Sequence, residues 1–422
     1  MGSADRFDVA VVGGGIGGLA ASALAARAGA RVLLLERSGE VGGRAGSELR
    51  GGFVWNLGPH ALYRGGAAER VLATLGVATP GASPAARGLA ARDGRVFRLP
   101  AGPASLFASG LLGLGEKIET ARLLTSLSRM DPGRLGRLTV AEWLAGAARH
   151  PRVRAFVEGL VRLTTYTNAP ASQSASVAVA QVQQALRHNV SYLDGGWRSL
   201  VAGLERCARS GGVTIRTGAR VDTLEPGTVR AAGERIEAGG VVLALPPAEA
   251  AALAGSPSLH AFAQTAVPVR AACLDLGLSR LPRPRQLFAL GVDRPLYLSV
   301  HSAYARVAPD GAASVHLAKY LPAGAPCDPA MDERELEGFM DLVQPGWRAH
   351  LLERRFLPRL TVMGAVPTLA GAPGPALADA PGVFVCGDWV GPGLLADAVL
   401  GSAERAAALA LRTGAPRLEA VA

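Results

Sequence analysis

Phe7-Asp-Val-Ala-Val-Val-Gly-Gly-Gly-Ile-Gly-Gly-Leu19 is the stretch whose reading decides the fold. The apolar run Val9 to Val12 predicts a short strand, Gly13-Gly14-Gly15-Ile16-Gly17-Gly18 a loop, and the Ala/Leu-rich residues up to about Ala28-Gly29 a helix. A second strand-like run, Arg31-Val-Leu-Leu-Leu35, ends on Glu36. Strand, glycines, helix, strand and acid stand in the order that G-x-G-x-x-G needs to hold a dinucleotide. Gly13 permits the tight turn, Gly15 lets a pyrophosphate approach the backbone, and Gly18 lets helix and strand pack closely. Free N–H groups at the helix start, around Ile16 and Gly17, then face the phosphates. Glu36 is placed to accept hydrogen bonds from a ribose diol, and its charge disfavours a 2′-phosphate there.

The residues that follow indicate which dinucleotide. Arg37 begins a polar, glycine-rich segment that contains Gly42-Gly43-Arg44. Near the other end, Pro381-Gly-Val-Phe-Val-Cys-Gly-Asp388-Trp-Val reads as turn, buried strand and Gly387-Asp388, with a helix from about Leu394 to Leu411. These segments resemble the FAD signatures of the flavoprotein group that contains amine oxidases, protoporphyrinogen oxidases and phytoene desaturases. The resemblance implies that Arg44 contacts the pyrophosphate and that Gly42 and Gly43 run beside the flavin. It also implies that Asp388 binds the ribitol chain, while the helix opening at Leu394-Leu395 points its N-terminus at the flavin pyrimidine. A helix N-terminus stabilises an anion, and the reduced flavin is negative at that edge. Gly218-Ala-Arg-Val221 and Ile236 to Ala244-Leu-Pro246-Pro247 are similar to the group's internal FAD-domain strands, with the backbone at Val221 next to adenine and Ala244 at a strand end. In the same group, the segment corresponding to Trp55-Asn-Leu-Gly58-Pro59-His60 passes beside the isoalloxazine ring, and Gly58 allows a close backbone approach.

The expected fold is therefore α/β: a Rossmann-like FAD-binding domain of the glutathione-reductase/amine-oxidase type, with an inserted mixed α+β substrate domain. The nucleotide-binding segments fall at about 1–60, 190–250 and 376–422, and residues 61–189 and 251–375 build the substrate domain. The first insertion predicts helices over Ala67–Leu75, Leu106–Leu114, Lys117–Ser128, Val140–Ala148, Pro151–Leu163 and Ser174–Leu186. The second predicts strands over Val269–Leu276, Leu296–Val300 and Ala313–Tyr320 and a helix over Asp332–Asp341, with Pro-rich hinges at Leu281-Pro-Arg-Pro284 and Ala372-Pro-Gly-Pro375.

Composition narrows the function classes. With 422 residues, 49% hydrophobic and 18% charged, the chain is globular and long enough for two cores. Its formal charge is +10, carried almost wholly by Arg, since Lys occurs only at Lys117 and Lys319. With the Ala and Gly load, that bias reads as a GC-rich, bacterial genome. The arginines are scattered without interleaved aromatics, which argues against nucleic acid as a partner. Cys207, Cys273, Cys327 and Cys386 lie far apart with no C-x-x-C, so no metal site is expected, and they read as buried fillers in a reducing, cytoplasmic setting. Met1 to Arg6 is too short and polar for an export leader. The uncharged stretch Leu99 to Gly115 is too short and too rich in Gly and Pro to span a bilayer. It reads first as a substrate-domain helix with its loop, and second as a segment resting on a membrane.

The chemistry expected of a desaturating flavoprotein asks little of protein side chains, because hydride passes to flavin N5 and a base or solvent takes the proton. His60 is the one side chain of its segment that changes charge near neutral pH. It is the candidate catalytic base, against the plainer role of a histidine bonded to backbone. Nothing in Trp55–His60 reads as built to hold its ring in one tautomer. Tyr63 and Arg64 are second candidates. Flavin amine oxidases commonly carry a Lys near N5 on a substrate-domain strand, but Val267 to Leu276, the segment resembling that strand, has none; Lys319 is the substitute to check. Tyr192-Leu-Asp-Gly-Gly-Trp-Arg-Ser-Leu resembles the Gly-Gly helix start of phytoene-desaturase-like proteins. The reading is dehydrogenation of a hydrophobic small molecule with noncovalent FAD. The alternatives are amine oxidation at a C–N bond, and FAD held without turnover. Oligomeric state is left open.

Overall fold

A computed structural model describes residues 6–85 and 87–414. The amino-terminal hexapeptide considered above as a leader therefore lies, but for Arg6, outside the described residues. The strand Arg6–Val12 sits centrally in a sheet ordered Thr214–Arg216, Val32–Leu35, Arg6–Val12, Glu234–Leu243, Thr228–Ala231, Val221–Glu225. The first four strands are parallel, with Val12 opposite both Leu35 and Leu243. The last two turn back antiparallel, and Val383–Val385 pairs in parallel beside Val241 to Leu243.

Both faces of this sheet are covered, which is why its strands read as continuous apolar runs. Val9 and Val11 face the helices Ile16–Arg27, Arg198–Ser210 and Leu395–Gly414 in one core. Ala10 and Val12 face the opposite core, with the helices Pro247–Ala254 and Pro257–Thr265. Parallel strands bring the ends of Arg6–Val12, Val32–Leu35 and Glu234–Leu243 to a common edge, and the glycine loop leaves from that edge.

A second seven-stranded sheet is ordered Leu351–Met363, Val269–Leu278, Ala313–Tyr320, Leu296–Val300, Phe288–Gly291, Leu89–Arg92, Arg95–Arg98. Leu89–Arg92 pairs in parallel with Phe288–Gly291, so segments far apart in the chain share one sheet. Helices Leu114–Arg129, Val140–Ala147, Pro151–Thr165 and Ala175–His188 pack into an apolar core beside it.

Two local departures from expectation have clear causes. The helix expected over Leu106–Leu114 is instead Pro103–Ala108, followed by a new helix from Leu114. Pro103 starts the first helix, Gly113 caps the second, and the Glu116 carboxylate accepts the Gly113 N–H at 2.7 Å. The thirteen-residue strand Leu351–Met363 was not expected, because its Glu-Arg-Arg and Pro358 break the usual alternation. It lies at the sheet edge, and its register shifts between Leu357 and Leu360, so the proline needs no ladder N–H.

Candidate active site

A cavity of about 1060 Å³ runs along the edge where the parallel strands end. Gly13, at φ +103°, makes the turn out of the first strand, and a Cβ there would lie 2.5 Å from the Ala244 carbonyl oxygen. Gly18 has no exposure to the cavity: a Cβ there would stand 1.8 Å from the Gly13 oxygen, so only glycine lets this helix seat against the strand. Gly15 instead opens to the cavity, with nothing within 4 Å of a Cβ. No side chain caps the helix beginning at Ile16, so its first N–H groups remain donors facing that space.

At one end of the cavity stands Glu36. Its carboxylate accepts the Gly14 N–H at 2.6 Å and the Ser38 N–H at 2.8 Å, which fixes its direction while leaving lone pairs on both oxygens. Arg37, Val221 and Ala244 line the same end. In the middle, Gly42 bonds back to the Gly14 oxygen at 2.8 Å and brings Gly43 and Arg44 alongside the first loop. The Arg44 guanidinium meets the buried Asp388 carboxylate at 2.7 Å, and Asp388 also accepts the Gly364 N–H at 2.9 Å. One ion pair thus ties a residue near the start of the chain to one near its end. Ile16, Gly17, Gly387 and Leu395 complete this part of the wall. Leu395 has φ +54°, the bend that turns the Leu395–Gly414 helix start onto the cavity. Leu394 is buried behind it.

The far end is apolar. Leu57, Pro59, Ala61, Tyr166, Ala271, Cys273 and Leu360 line it with His60. Gly58 (φ +78°) lies behind the wall, where a Cβ would meet Leu360 at 2.7 Å and Cys273 at 3.1 Å. The sequence predicted no device to hold the His60 ring; the structure corrects this. Nδ1 lies 3.1 Å from the Gly58 carbonyl and therefore carries the proton, and the ring stands edge-on to Trp197 at 4.7 Å. Nε2 is left as an acceptor. Burial, above all, lowers the His60 pKa to about 4, with the Gly58 bond opposing it. The imidazole is neutral at pH 7.

Tyr63 and Arg64 do not join the cavity wall. The Tyr63 hydroxyl donates to the Thr164 carbonyl at 2.8 Å, burial raises its pKa, and Arg64 pairs with Glu69. Lys319 is held by Asp332 at 2.6 Å and Glu335 at 3.0 Å on the helix Pro329–Val343, away from the cavity. Lys117 donates to the Phe107 carbonyl, so neither lysine of the chain lines the site.

Sequence reasoning did not find Trp197, Tyr166, Cys273 or Leu360, nor the buried network behind His60. Asp275 is fully buried, and its carboxylate meets His316 Nδ1 at 2.6 Å and Arg355 Nη2 at 2.6 Å. Arg355 also donates to the Asn56 carbonyl, the acceptor of the Gly58 N–H at 2.9 Å. His301 stacks on Tyr192 and lies tilted against His316, neutral because burial holds its pKa well below the ordinary value. The network fixes the Asn56–Gly58 turn and hence the carbonyl that orients His60. The only sequence signal was charge inside apolar strands, at Asp275 and His316.

All four cysteines are free, with Cys273 and Cys386 buried. Among the described residues, no helix is long and apolar enough to cross a membrane.

Residues 16–272 match the flavin containing amine oxidoreductase family, and the chain belongs to it. A carotenoid 3,4-desaturase of Haloarcula japonica is 46% identical over 69 residues, which are 16% of this chain and 14% of that protein. The matched stretch is thus a small part of that curated relative's length. Over the whole chain the likeness is one of fold. An oxidoreductase from Methanosarcina mazei superposes with a TM-score of 0.76 at 18% identity, covering 94% of this chain and 99% of the other. Cyclohexylamine oxidase from Brevibacterium oxydans gives 0.71 at 18% identity, covering 96% and 99%. The fold is the α/β FAD-binding fold of that family, and the cofactor is a flavin.

Proposed function

We propose that the protein is an FAD-dependent dehydrogenase that desaturates a hydrophobic small molecule. The observation that carries this reading is the wall beside His60, where the side chains are apolar, aromatic or, for His60 itself, neutral at pH 7. The residues present suit FAD. Glu36 offers carboxylate acceptors for a ribose, the uncapped Ile16 helix offers N–H donors for a pyrophosphate, and Arg44 and Asp388 stand where phosphate and ribitol chain would follow. Bound there, the flavin supplies the hydride acceptor.

The chain's own part is binding and orientation. Leu57, Ala61, Tyr166 and Leu360 exclude water and hold an apolar substrate against one face of the cavity. His60 Nε2 is free to accept a proton or a hydrogen bond, and its low basicity suits an orienting role more than strong base catalysis. The absence of either lysine from the wall weighs against the lysine-assisted arrangement of amine oxidation. FAD held without turnover is the remaining alternative, and it offers no reason for an apolar chamber beyond the nucleotide. Retention is proposed to be noncovalent: burial raises the Cys386 thiol to about 12, leaving almost no thiolate to form a bond.

The test is product analysis. Incubated with an electron acceptor and a panel of polyenes, terpenes and primary amines, the enzyme is expected to release a hydrocarbon-framework product lighter by two hydrogens. Release of ammonia and an aldehyde from an amine would favour C–N oxidation instead.

A further inference from the structure

We propose that the protein docks on an anionic membrane through one face, formed by the helices Pro103–Ala108 and Leu114–Arg129 and the arginine-lined cleft beside them. Three large apolar side chains stand out at the corner where these helices meet: Phe107 is 49% exposed, Leu114 69% and Ile118 39%. Lys117 Nζ donates to the Phe107 carbonyl at 2.8 Å, which holds the two helices together and sets these side chains on one corner. The exposed surface around them, Ala101, Gly102, Pro103, Ala104 and Ala108, carries no charge.

Next to this corner opens a cleft of about 730 Å³, with Ser105 of the Pro103–Ala108 helix in one wall. Arg87, Arg98 and Arg285 line it from three separate segments, all exposed, and none forms an ion pair or side-chain hydrogen bond among the described residues. The acids that would neutralise them are missing from the chain locally. Between Glu69 and Glu116 the sequence holds one carboxylate, Asp93, and between Asp275 and Asp293 it holds none. The nearest acids on the second helix are committed elsewhere, Glu116 to the Gly113 N–H and Glu119 to His150. Other surface arginines are paired, for example Arg70 with Glu404 and Arg354 with Glu333 and Glu337.

An apolar wedge bordered by unpaired cations matches a bilayer surface in both of its properties. The wedge enters the acyl boundary and the arginines meet anionic headgroups. A soluble acidic partner would use the arginines and leave Phe107 and Leu114 unexplained. The cleft also abuts the substrate chamber's outer wall: its Phe288 packs edge-on to Tyr297 at 5.7 Å, and Tyr297 belongs to the same apolar cluster as Tyr166 and Cys273. The docking claim itself does not depend on the proposed chemistry, because it is read by binding alone.

The experiment is sedimentation of the flavin-loaded protein with phosphatidylcholine vesicles, pure or containing roughly one third phosphatidylglycerol. The wild type is expected to partition onto the anionic vesicles only. Arg98→Gln with Arg285→Gln should weaken partitioning about twenty-fivefold, at roughly fivefold per arginine. Phe107→Ser with Leu114→Ser should weaken it roughly tenfold, with flavin content and circular dichroism unchanged in both variants. Failure of the wild type to bind anionic vesicles would overturn the proposal. So would equal binding to pure phosphatidylcholine, or binding undiminished in either variant. Concentration-dependent self-association abolished by Phe107→Ser with Leu114→Ser would assign the face to a second copy of the chain, and would also overturn it.

Discussion

Acid should destabilise this protein through one identifiable ring. The folded state holds His60 at a pKa of about 4, below the ordinary 6.5 that the unfolded chain regains. Between those values the unfolded chain binds a proton that the folded protein does not. The contribution of neutral His60 is therefore fully present above about pH 6.5 and lost progressively as pH falls toward about 4. A shift from 6.5 to about 4, at about 1.36 kcal/mol per unit, sets a ceiling near 3.4 kcal/mol. Because the ring is only partly buried, about 2 kcal/mol is the working figure. His60→Asn keeps a donor for the Gly58 carbonyl and cannot titrate in this range. Urea denaturation of both proteins across this interval should show the wild type losing about 2 kcal/mol more than the variant. Equal losses would refute the claim that burial holds the ring neutral. The same ring should place any His60-dependent acid limb in the activity profile near pH 4, not near 6.5. Turnover in His60→Ala should fall only modestly, and a loss of about a thousandfold with flavin and fold intact would make His60 the base.

Glu36→Ala should weaken FAD binding by roughly ten- to a hundredfold, since a hydrogen bond to a charged group is worth about 1.5–3 kcal/mol; fluorescence titration of the apoprotein measures it, and unchanged affinity would place the ribose elsewhere. Gly18→Ala forces a Cβ to within 1.8 Å of the Gly13 oxygen and should yield protein that is destabilised by several kcal/mol or insoluble, seen by its melting temperature and soluble yield. Asp275→Ala removes the buried carboxylate partner of Arg355 and leaves it Glu48 at 3.6 Å and the Asn56 carbonyl, so it should cost about 3 kcal/mol in chemical denaturation; a loss under about 1 kcal/mol would mean that Glu48 satisfies the guanidinium. Acid precipitation should leave a colourless pellet and a yellow supernatant, because the Cys386 thiol is too weakly acidic to carry a covalent flavin.

The glycine loop and the strands around it were legible because their chemistry is local. A turn at Gly13 followed by a helix at Ile16 depends on a few neighbouring residues, and the apolar runs of buried parallel strands carry their own signal. The strands Leu296–Val300 and Ala313–Tyr320 were readable for the same reason. Leu351–Met363 was not, since an edge strand needs no alternation and tolerates Pro358 at a bulge. The chamber beyond the nucleotide segments was read least well. His60, Trp197, Cys273 and Leu360 come from four distant segments, and no local pattern announces that they meet. The same holds for Asp275, His316 and Arg355, whose pairing exists only once the second sheet has formed. His60 shows the limit most clearly: its residue type was visible, but its tautomer and basicity follow from Gly58, Trp197 and burial.

Anaerobic reduction of the bound flavin tests the proposed function most directly. Mixed without oxygen with long-chain polyenes or terpenes, the yellow enzyme should lose its oxidised-flavin absorbance within seconds to minutes, and primary amines should leave the spectrum unchanged. Bleaching by amines alone would contradict the account, and a spectrum that no hydrophobic substrate alters would leave the protein a carrier of flavin.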